Sequence, residues 1–256
     1  MRFSHAICRR PASSIADGLT TADEGAPSFE RTIAQHDAYM ATLRALGVEV
    51  DLLEALDAFP DAHFVEDVAV ITPEVTVLTR PGHPSRRGEV DAIAETLAAH
   101  RPITRLEAPA TLDGGDVLRI GSTWYVGRSE RTNAAGFEAF AAIVRAQGMD
   151  CVAIPVAAGL HLKSSVNALD DETVVLTRAF VDCKSFERYR HVVLPEAEDY
   201  AACALRVNGG VILPAGYPAA RDAIAGLGFA VHEIDTSEFR KMDGGLTCLS
   251  LRWSPA

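Results

Sequence analysis

Asp113-Gly114-Gly115-Asp116, running directly into Val117-Leu118-Arg119-Ile120, is the stretch that decides the fold. Helices and strands alternate along this chain, and such alternation ordinarily means an open doubly wound sheet. That fold joins its first strand to a helix through a glycine-rich phosphate loop. Here the Gly-Gly pair sits between two acids, which repel a phosphate, and it leads into a strand instead of a helix. It reads as a tight turn between strands.

The pattern of a polar entrance followed by an apolar run recurs. Glu66-Asp67 precedes Val68–Ile71, and His161 precedes Leu162–Leu169. Ala202-Cys203 runs into Val207, and Thr247-Cys248 into Leu251. The landmarks Asp67, Asp116, Ser164, Cys203 and Cys248 are 49, 48, 39 and 45 residues apart, a spacing that marks a repeated supersecondary unit. Short strands are expected at Val48–Leu53, Ile103–Glu107, Cys151–Val156, His191–Leu194 and Ala230–Ile234. Apolar residues at helical spacing mark helices at Phe29–Leu46 (Ser28 as N-cap, Gly47 as stop), Val90–Leu97, Phe137–Val144 (ending at Gly148) and Ala220–Leu227 (between Pro218 and Gly228). A fifth, weaker helix covers Phe186 to Arg190. Five units of mixed α/β structure predict a closed, pseudo-symmetric propeller whose polar strand ends converge on a central channel. No linker divides residues 1–256, which read as one domain, with the Gly/Pro-rich Arg80–Gly88 as a loop.

Composition narrows the function. A chain of 256 residues with 48% hydrophobic and 23% charged residues is ordinary for a soluble protein. The net charge of −11, without a basic block, argues against nucleic acid or an anionic membrane as partner. No apolar run approaches the roughly 20 residues that span a bilayer, and Arg10-Pro11 interrupts the place of a signal peptide's apolar stretch. Five scattered cysteines without a C-x-x-C spacing fit neither a disulfide framework nor a structural zinc, and point to the cytoplasm.

Cys248, in Asp243-Gly-Gly-Leu-Thr-Cys248, has the setting of a small buried hydrophobe, and a lone histidine such as His161 is more often a satisfied half-buried residue. Both stand at strand mouths of the repeat, however, where they can meet across a channel as thiol and imidazole. Asp61, Glu66, Asp67, Asp113 and Asp116 fall at loop-to-strand junctions, where solvated turn residues are the usual explanation. Gathered at one channel mouth they would instead receive a cation. Arg86, Arg87 and Arg131, close to these acids in sequence, suit a carboxylate, so that a zwitterion such as an arginine-like amino acid fits the set. With one well-placed histidine, a catalytic metal is not expected.

At these residues the chain resembles the dimethylarginine dimethylaminohydrolase family, particularly its bacterial form. The resemblance is carried by Phe64-Val-Glu-Asp67, Thr79-Arg-Pro-Gly82 with Ser85-Arg-Arg-Gly88, Gly114-Gly-Asp116, Arg131-Thr-Asn133, His161-Leu-Lys163, Pro214-Ala-Gly-Tyr-Pro218 and Asp243-Gly-Gly-Leu-Thr-Cys248, in order from Asp17 to the C-terminus. It implies the five-bladed α/β propeller called the pentein fold. It also implies hydrolysis of asymmetric dimethylarginine or monomethylarginine to citrulline and a methylated amine, with no cofactor. Cys248 matches the nucleophile, His161 the proton donor, and Asp113 the acid that orients it, where bacterial relatives can carry Glu. Leu19, Asp61, Glu66, Asp67, Arg86, Arg131 and Met242 match substrate-binding positions, Met242 through its backbone carbonyl. A homodimer is implied as well.

Two other readings stand beside this one. Arginine and agmatine deiminases of the same fold carry His-x-Asp, the Asp gripping a second guanidine nitrogen, where this chain has His161-Leu162-Lys163. Losing that acid favours a nitrogen that carries methyl groups and cannot donate. A non-catalytic pentein binding protein, like the ribosomal anti-association factors, needs no Cys–His pair at its strand mouths.

Overall fold

A computed structural model describes residues 2–156 and 158–255. The strands form five three-stranded sheets. β1 (His5–Arg9) pairs in parallel with β2 (Glu49–Leu53), the two joined by α1 (Phe29–Ala45). The second sheet is β3 (Ala69–Ile71), β4 (Thr76–Leu78) and β5 (Ile103–Arg105), with α2 (Asp91–Ala98) crossing from β4 to β5. The third is β6 (Val117–Ile120), β7 (Thr123–Arg128) and β8 (Asp150–Pro155), with α3 (Ala134–Ala146). The fourth is β9 (Val166–Ala168), β10 (Thr173–Leu176) and β11 (Arg190–Val193). β12 (Leu205–Val207), β13 (Gly210–Pro214) and β14 (Ala230–Ile234), with α4 (Pro218–Gly226), make the fifth, and a short α5 (Ser237–Arg240) follows. β15 (Leu251–Trp253) then pairs antiparallel with β1 and completes the first sheet from the other end of the chain.

Every sheet repeats one pattern. An inner strand runs antiparallel to a middle strand, and the middle strand runs parallel to an outer one. A parallel partner needs a crossover, which is where the helices lie. The result is the five-bladed propeller expected from the 39-to-49-residue spacing, the architecture that the resemblance also implies.

Local chemistry explains the helices. The Ser28 side chain accepts from the Arg31 N–H at the start of α1, and that of Asn133 accepts from the Gly136 N–H at 2.8 Å at the start of α3. Gly47 and Gly148 follow α1 and α3 at φ +82° and +74°, a left-handed backbone that a Cβ would disfavour. The expected helix at Phe186–Arg190 is absent. The β10–β11 crossover is instead a run of turns in which Cys183, Phe186 and Tyr189 each donate to the carbonyl three residues back. The period-three bonds also put Phe180, Phe186 and Tyr189 into the core that helices fill in the other blades. Arg80–Gly88 is likewise not all loop, since Pro84–Glu89 forms a 3-10 helix.

The sequence reading located an inner and an outer strand per unit and passed over the middle ones. β10 and β13 are buried along their whole length, and a strand buried on both faces loses the alternation that betrays a half-exposed one.

Candidate active site

A 3-10 turn opens each inner strand: Val65–Val68, Gly114–Asp116, Leu162–Ser164, Glu196–Cys203 and Leu246–Leu249. Four neighbouring pairs of these turns touch around one end of the channel. This placement turns five remote sequence positions into one site. Glu66 and Asp67 lie within the first turn, Asp113 and His161 at the heads of the second and third, and Cys248 within the last.

Nine of the ten expected residues line a single small cavity there: Leu19, Asp61, Asp67, Arg86, Asp113, Arg131, His161, Met242 and Cys248. Glu66 does not. Its Oε1 accepts from Lys163 Nζ at 2.6 Å and Arg252 Nη2 at 3.2 Å, and it faces a second cavity across the wall. Asp116 also stays out of the pocket. Its carboxylate accepts from Ser129 Oγ, Thr132 Oγ1 and the Leu162 N–H, which ties the third blade to the fourth.

The junction acids are not solvated turn residues. Asp61, Glu66, Asp67, Asp113 and Asp116 are all at most 6% exposed. His161 Nε2 bonds Asp113 Oδ2 at 3.0 Å, so the shorter acid reaches the imidazole. The other Asp113 oxygen accepts from the Gly82 N–H at 2.8 Å, which fixes the carboxylate's direction. His161 Nδ1 stands 3.9 Å from Asp67 Oδ1. Gly115 admits this arrangement, since a Cβ there would lie 2.5 Å from His161 Nδ1.

Arg86 departs from its expected use as a carboxylate clamp. It is buried, giving Nη1 to Asp67 Oδ2 at 2.5 Å, Nε and Nη2 to Glu89, and Nη2 to the Asp61 and Phe64 carbonyls. It positions the acids. Glu89 was missed from sequence, although Arg86-x-x-Glu89 has the i,i+3 spacing of a helical ion pair. Arg131 is half-buried at the cavity and, among the described residues, makes no ion pair. It is the arginine free to meet a carboxylate.

The electrostatics divide the two reactive groups. Burial opposes a charge on His161, yet Asp67, the bonded Asp113 and Asp116 outweigh it and raise the imidazolium pKa to about 9. Cys248 is half-buried, and desolvation together with Glu66 and Asp67 pushes its thiol up to about 12, with Lys163 acting in the opposite direction. At neutral pH the site therefore holds a thiol and an imidazolium. Asp67, Asp113 and His161 also lie within reach of a common metal ion, but their donors are engaged. Asp67 accepts from Arg86 and the Gly115 N–H, Asp113 from Gly82 and His161, and a protonated imidazole is no ligand.

Over this cavity Leu19 N–H donates to both Asp61 oxygens, at 3.1 and 3.2 Å. Asp243, at a left-handed φ of +55°, accepts from the Thr21 N–H and hydroxyl. Met242 lines the cavity with a buried side chain whose terminal methyl lies beside Gly18.

A cysteine and a carboxylate-bonded histidine lining one cavity at the mouth of a five-bladed channel have the arrangement of the guanidine-modifying penteins that carry a cysteine. The family profile described as N,N dimethylarginine dimethylhydrolase, eukaryotic, matches residues 20–190. An N(G),N(G)-dimethylarginine dimethylaminohydrolase of Pseudomonas aeruginosa is 41% identical over 253 residues, covering 98% of this chain and all of the relative. One from Streptomyces coelicolor is 39% identical, covering 98% of each. The crystal structure of a cysteine-to-serine variant of the Pseudomonas enzyme, complexed with citrulline, superposes with a TM-score of 0.97 at 40% identity over 99% of this chain and all of that one. The N-terminal domain of ArgZ, 21% identical with a TM-score of 0.88, shares the fold. The chain belongs to the dimethylarginine dimethylaminohydrolase family. Among its described residues no helix is long and apolar enough to cross a membrane.

Proposed function

We propose that this protein hydrolyses asymmetric dimethylarginine and monomethylarginine to citrulline and di- or monomethylamine. Cys248 is the nucleophile, His161 the general acid and base, and Asp113 its positioning partner. The observation that carries the substrate choice is Lys163. Where a deiminase keeps an acid, its Nζ is paired with Glu66 at 2.6 Å, so no carboxylate is offered at that place to a nitrogen on which methyl groups replace one or both N–H donors.

The geometry supports a sequence that balances. Asp61 and Asp67 draw in the guanidinium, and Arg131 receives the amino-acid carboxylate. The bound cation offsets the field of the acids, and Cys248 releases its proton to solvent. Thiolate sulfur then adds to the guanidinium carbon, perpendicular to the plane those acids fix. The His161 imidazolium gives its proton to the dimethylated nitrogen, the C–N bond breaks, and neutral dimethylamine leaves a thiouronium on Cys248. Neutral His161 next takes a proton from water as the hydroxide adds to the same carbon. The carbon–sulfur bond breaks, the new hydroxyl proton returns to sulfur, and citrulline departs. Thiol and imidazolium are both restored, and no redox group or metal enters.

The chain is further proposed to work as one domain and as a cytoplasmic homodimer on a small-molecule substrate. Its net charge of −11 speaks against nucleic acid and anionic membrane. Incubation with asymmetric dimethylarginine tests the reading: citrulline and dimethylamine should appear in equal amounts. The absence of a ureido product, or ammonia in place of dimethylamine, contradicts it.

A further inference from the structure

The inner strands lead away from the Cys248 end, and a second cavity of about 410 Å³ runs along all five of them, from Glu66 and Lys163 in the opening turns to Ile71 and Trp253 at strand ends. Three of them turn an arginine into it: Arg119 from β6, Arg206 from β12 and Arg252 from β15. Arg2, Arg101 and Lys163 bring the basic side chains to six, against Glu66, Asp170 and Asp171. In a chain of net charge −11, this is a local reversal of sign.

The six cations outnumber the three acids, of which Asp171 acts on Arg119 and Asp170 on Arg206. Glu66 already serves both Lys163 and Arg252. Arg119 lies over the Trp124 ring at 5.3 Å and gives its Nε to the Gly121 carbonyl, while Arg206 lies over Phe229 at 5.1 Å. Arg101 bonds two backbone carbonyls, those of Thr72 and Ser254. Arg206 Nη1, Arg252 Nε and Glu66 Oε2 are buried with no partner. Burial lowers the pKa of Arg101, Arg119 and Arg206, and outweighs the opposing field of Asp171 at Arg119 and of Asp170 at Arg206, so a further anion favours their charged forms. Water can satisfy the orphaned atoms but leaves the excess charge in place. The remaining wall is mixed, with Phe3, Trp124, Leu205 and Trp253 its large apolar members and Thr72, Asn167, Thr247 and Ser250 among its polar ones. A cavity of several hundred Å³ with a few convergent charges has the dimensions of a small-molecule site.

We propose that this cavity binds an amphiphilic organic anion, a carboxylate, sulfonate or phosphate on an aromatic or aliphatic body, with the acid group held by the channel arginines and the body against Trp124 and Trp253. These are the only two tryptophans of the chain, so intrinsic fluorescence reads the cavity directly. The probe is 8-anilinonaphthalene-1-sulfonate, titrated into the intact protein beside the uncharged N-phenyl-1-naphthylamine. Saturable 1:1 quenching is expected from the sulfonate, with the uncharged compound at least about tenfold weaker. Arg119→Gln with Arg206→Gln should weaken the sulfonate about tenfold or more, and the paired Lys substitutions, which keep the charge but lose the ring stacking and the planar fork, should weaken it less than the Gln pair. Absence of saturable quenching, equal affinity for the uncharged compound, or a folded Gln double variant that binds as before would overturn the proposal. Should the Gln variant not fold, the charged-against-uncharged comparison on the unaltered protein still decides.

Discussion

Lys163 Nζ lies 2.6 Å from Glu66 Oε1, both side chains at least nine-tenths buried, in the wall between the two cavities of the channel. One cation thereby pairs with the acid that the Cys248 thiol feels most strongly among its neighbours.

Lys163→Asp should reverse the preference. Turnover of dimethylarginine should fall at least about tenfold, and the ratio of arginine to dimethylarginine turnover should rise. Breaking a buried ion pair costs about 3 kcal/mol, so a urea titration should show reduced stability too. Lys163→Met serves as the comparison, losing dimethylarginine activity without gaining arginine. A substrate ratio unchanged in the Asp variant would detach Lys163 from specificity.

Cys248 should be a thiol in the free protein and a thiolate beside a bound cation. Its alkylation rate, followed against pH, should place the free thiol well above neutrality, and a slowly reacting guanidinium analogue that leaves the sulfur accessible should move that value down. Cys248→Ser should lose nearly all turnover while keeping the fold. Ser or Ala at Cys8, Cys151, Cys183 or Cys203 should leave activity largely intact. A free thiol pKa below 7 that the analogue does not move would favour a preformed thiolate–imidazolium pair.

Asp113 sets the alkaline limit of His161. The imidazolium is an acid up to about pH 9 because Asp67, Asp113 and Asp116 hold its proton. Asp113→Asn removes one of those charges, so the pH at which kcat falls should move down, whereas Asp113→Glu should leave it nearly in place. An unshifted profile in the Asn variant, with activity retained, would remove Asp113 from the proton transfer.

Acid stability should depend on His36. This imidazole is buried in α1, with Phe239 6.3 Å away and neither nitrogen partnered. Burial foremost, with Arg10, lowers its pKa from 6.5 to about 4. A depressed folded-state value means that the neutral form is the one accommodated. Its contribution is full above pH 6.5 and is lost as pH falls towards 4, amounting there to ~3 kcal/mol. Urea midpoints measured at pH 7 and pH 5 should separate less in His36→Leu than in the unaltered protein. Equal separations would place the acid sensitivity elsewhere.

Much of this was legible in the sequence, for identifiable reasons. The spacing from Asp67 to Cys248 revealed the five-fold repeat because each unit must enter the channel through a polar turn. Cys248, His161 and Asp113 stand at such turns and line one cavity. What misled was partner choice, which one-dimensional spacing does not encode. Arg86 lies near the acids in sequence, but its fork is spent on Asp67 and Glu89. Glu66 adjoins Asp67 yet faces the other side of the wall, because successive residues of a turn diverge. The fifth helix failed because Phe186 and Tyr189 carry an apolar pattern that a period of three serves as well as 3.6. The arginine-lined cavity left no local signature. Arg119, Arg206 and Arg252 are lone residues in separate strands, brought together only by ring closure.

The most direct measurement is kcat/KM for asymmetric dimethylarginine and for arginine, on the same preparation, with ureido product as the readout. The account predicts efficient turnover of the methylated substrate and arginine turnover lower by about a hundredfold, the scale of a lost charge-assisted contact in a buried site. Arginine used as well as or better than dimethylarginine would contradict it.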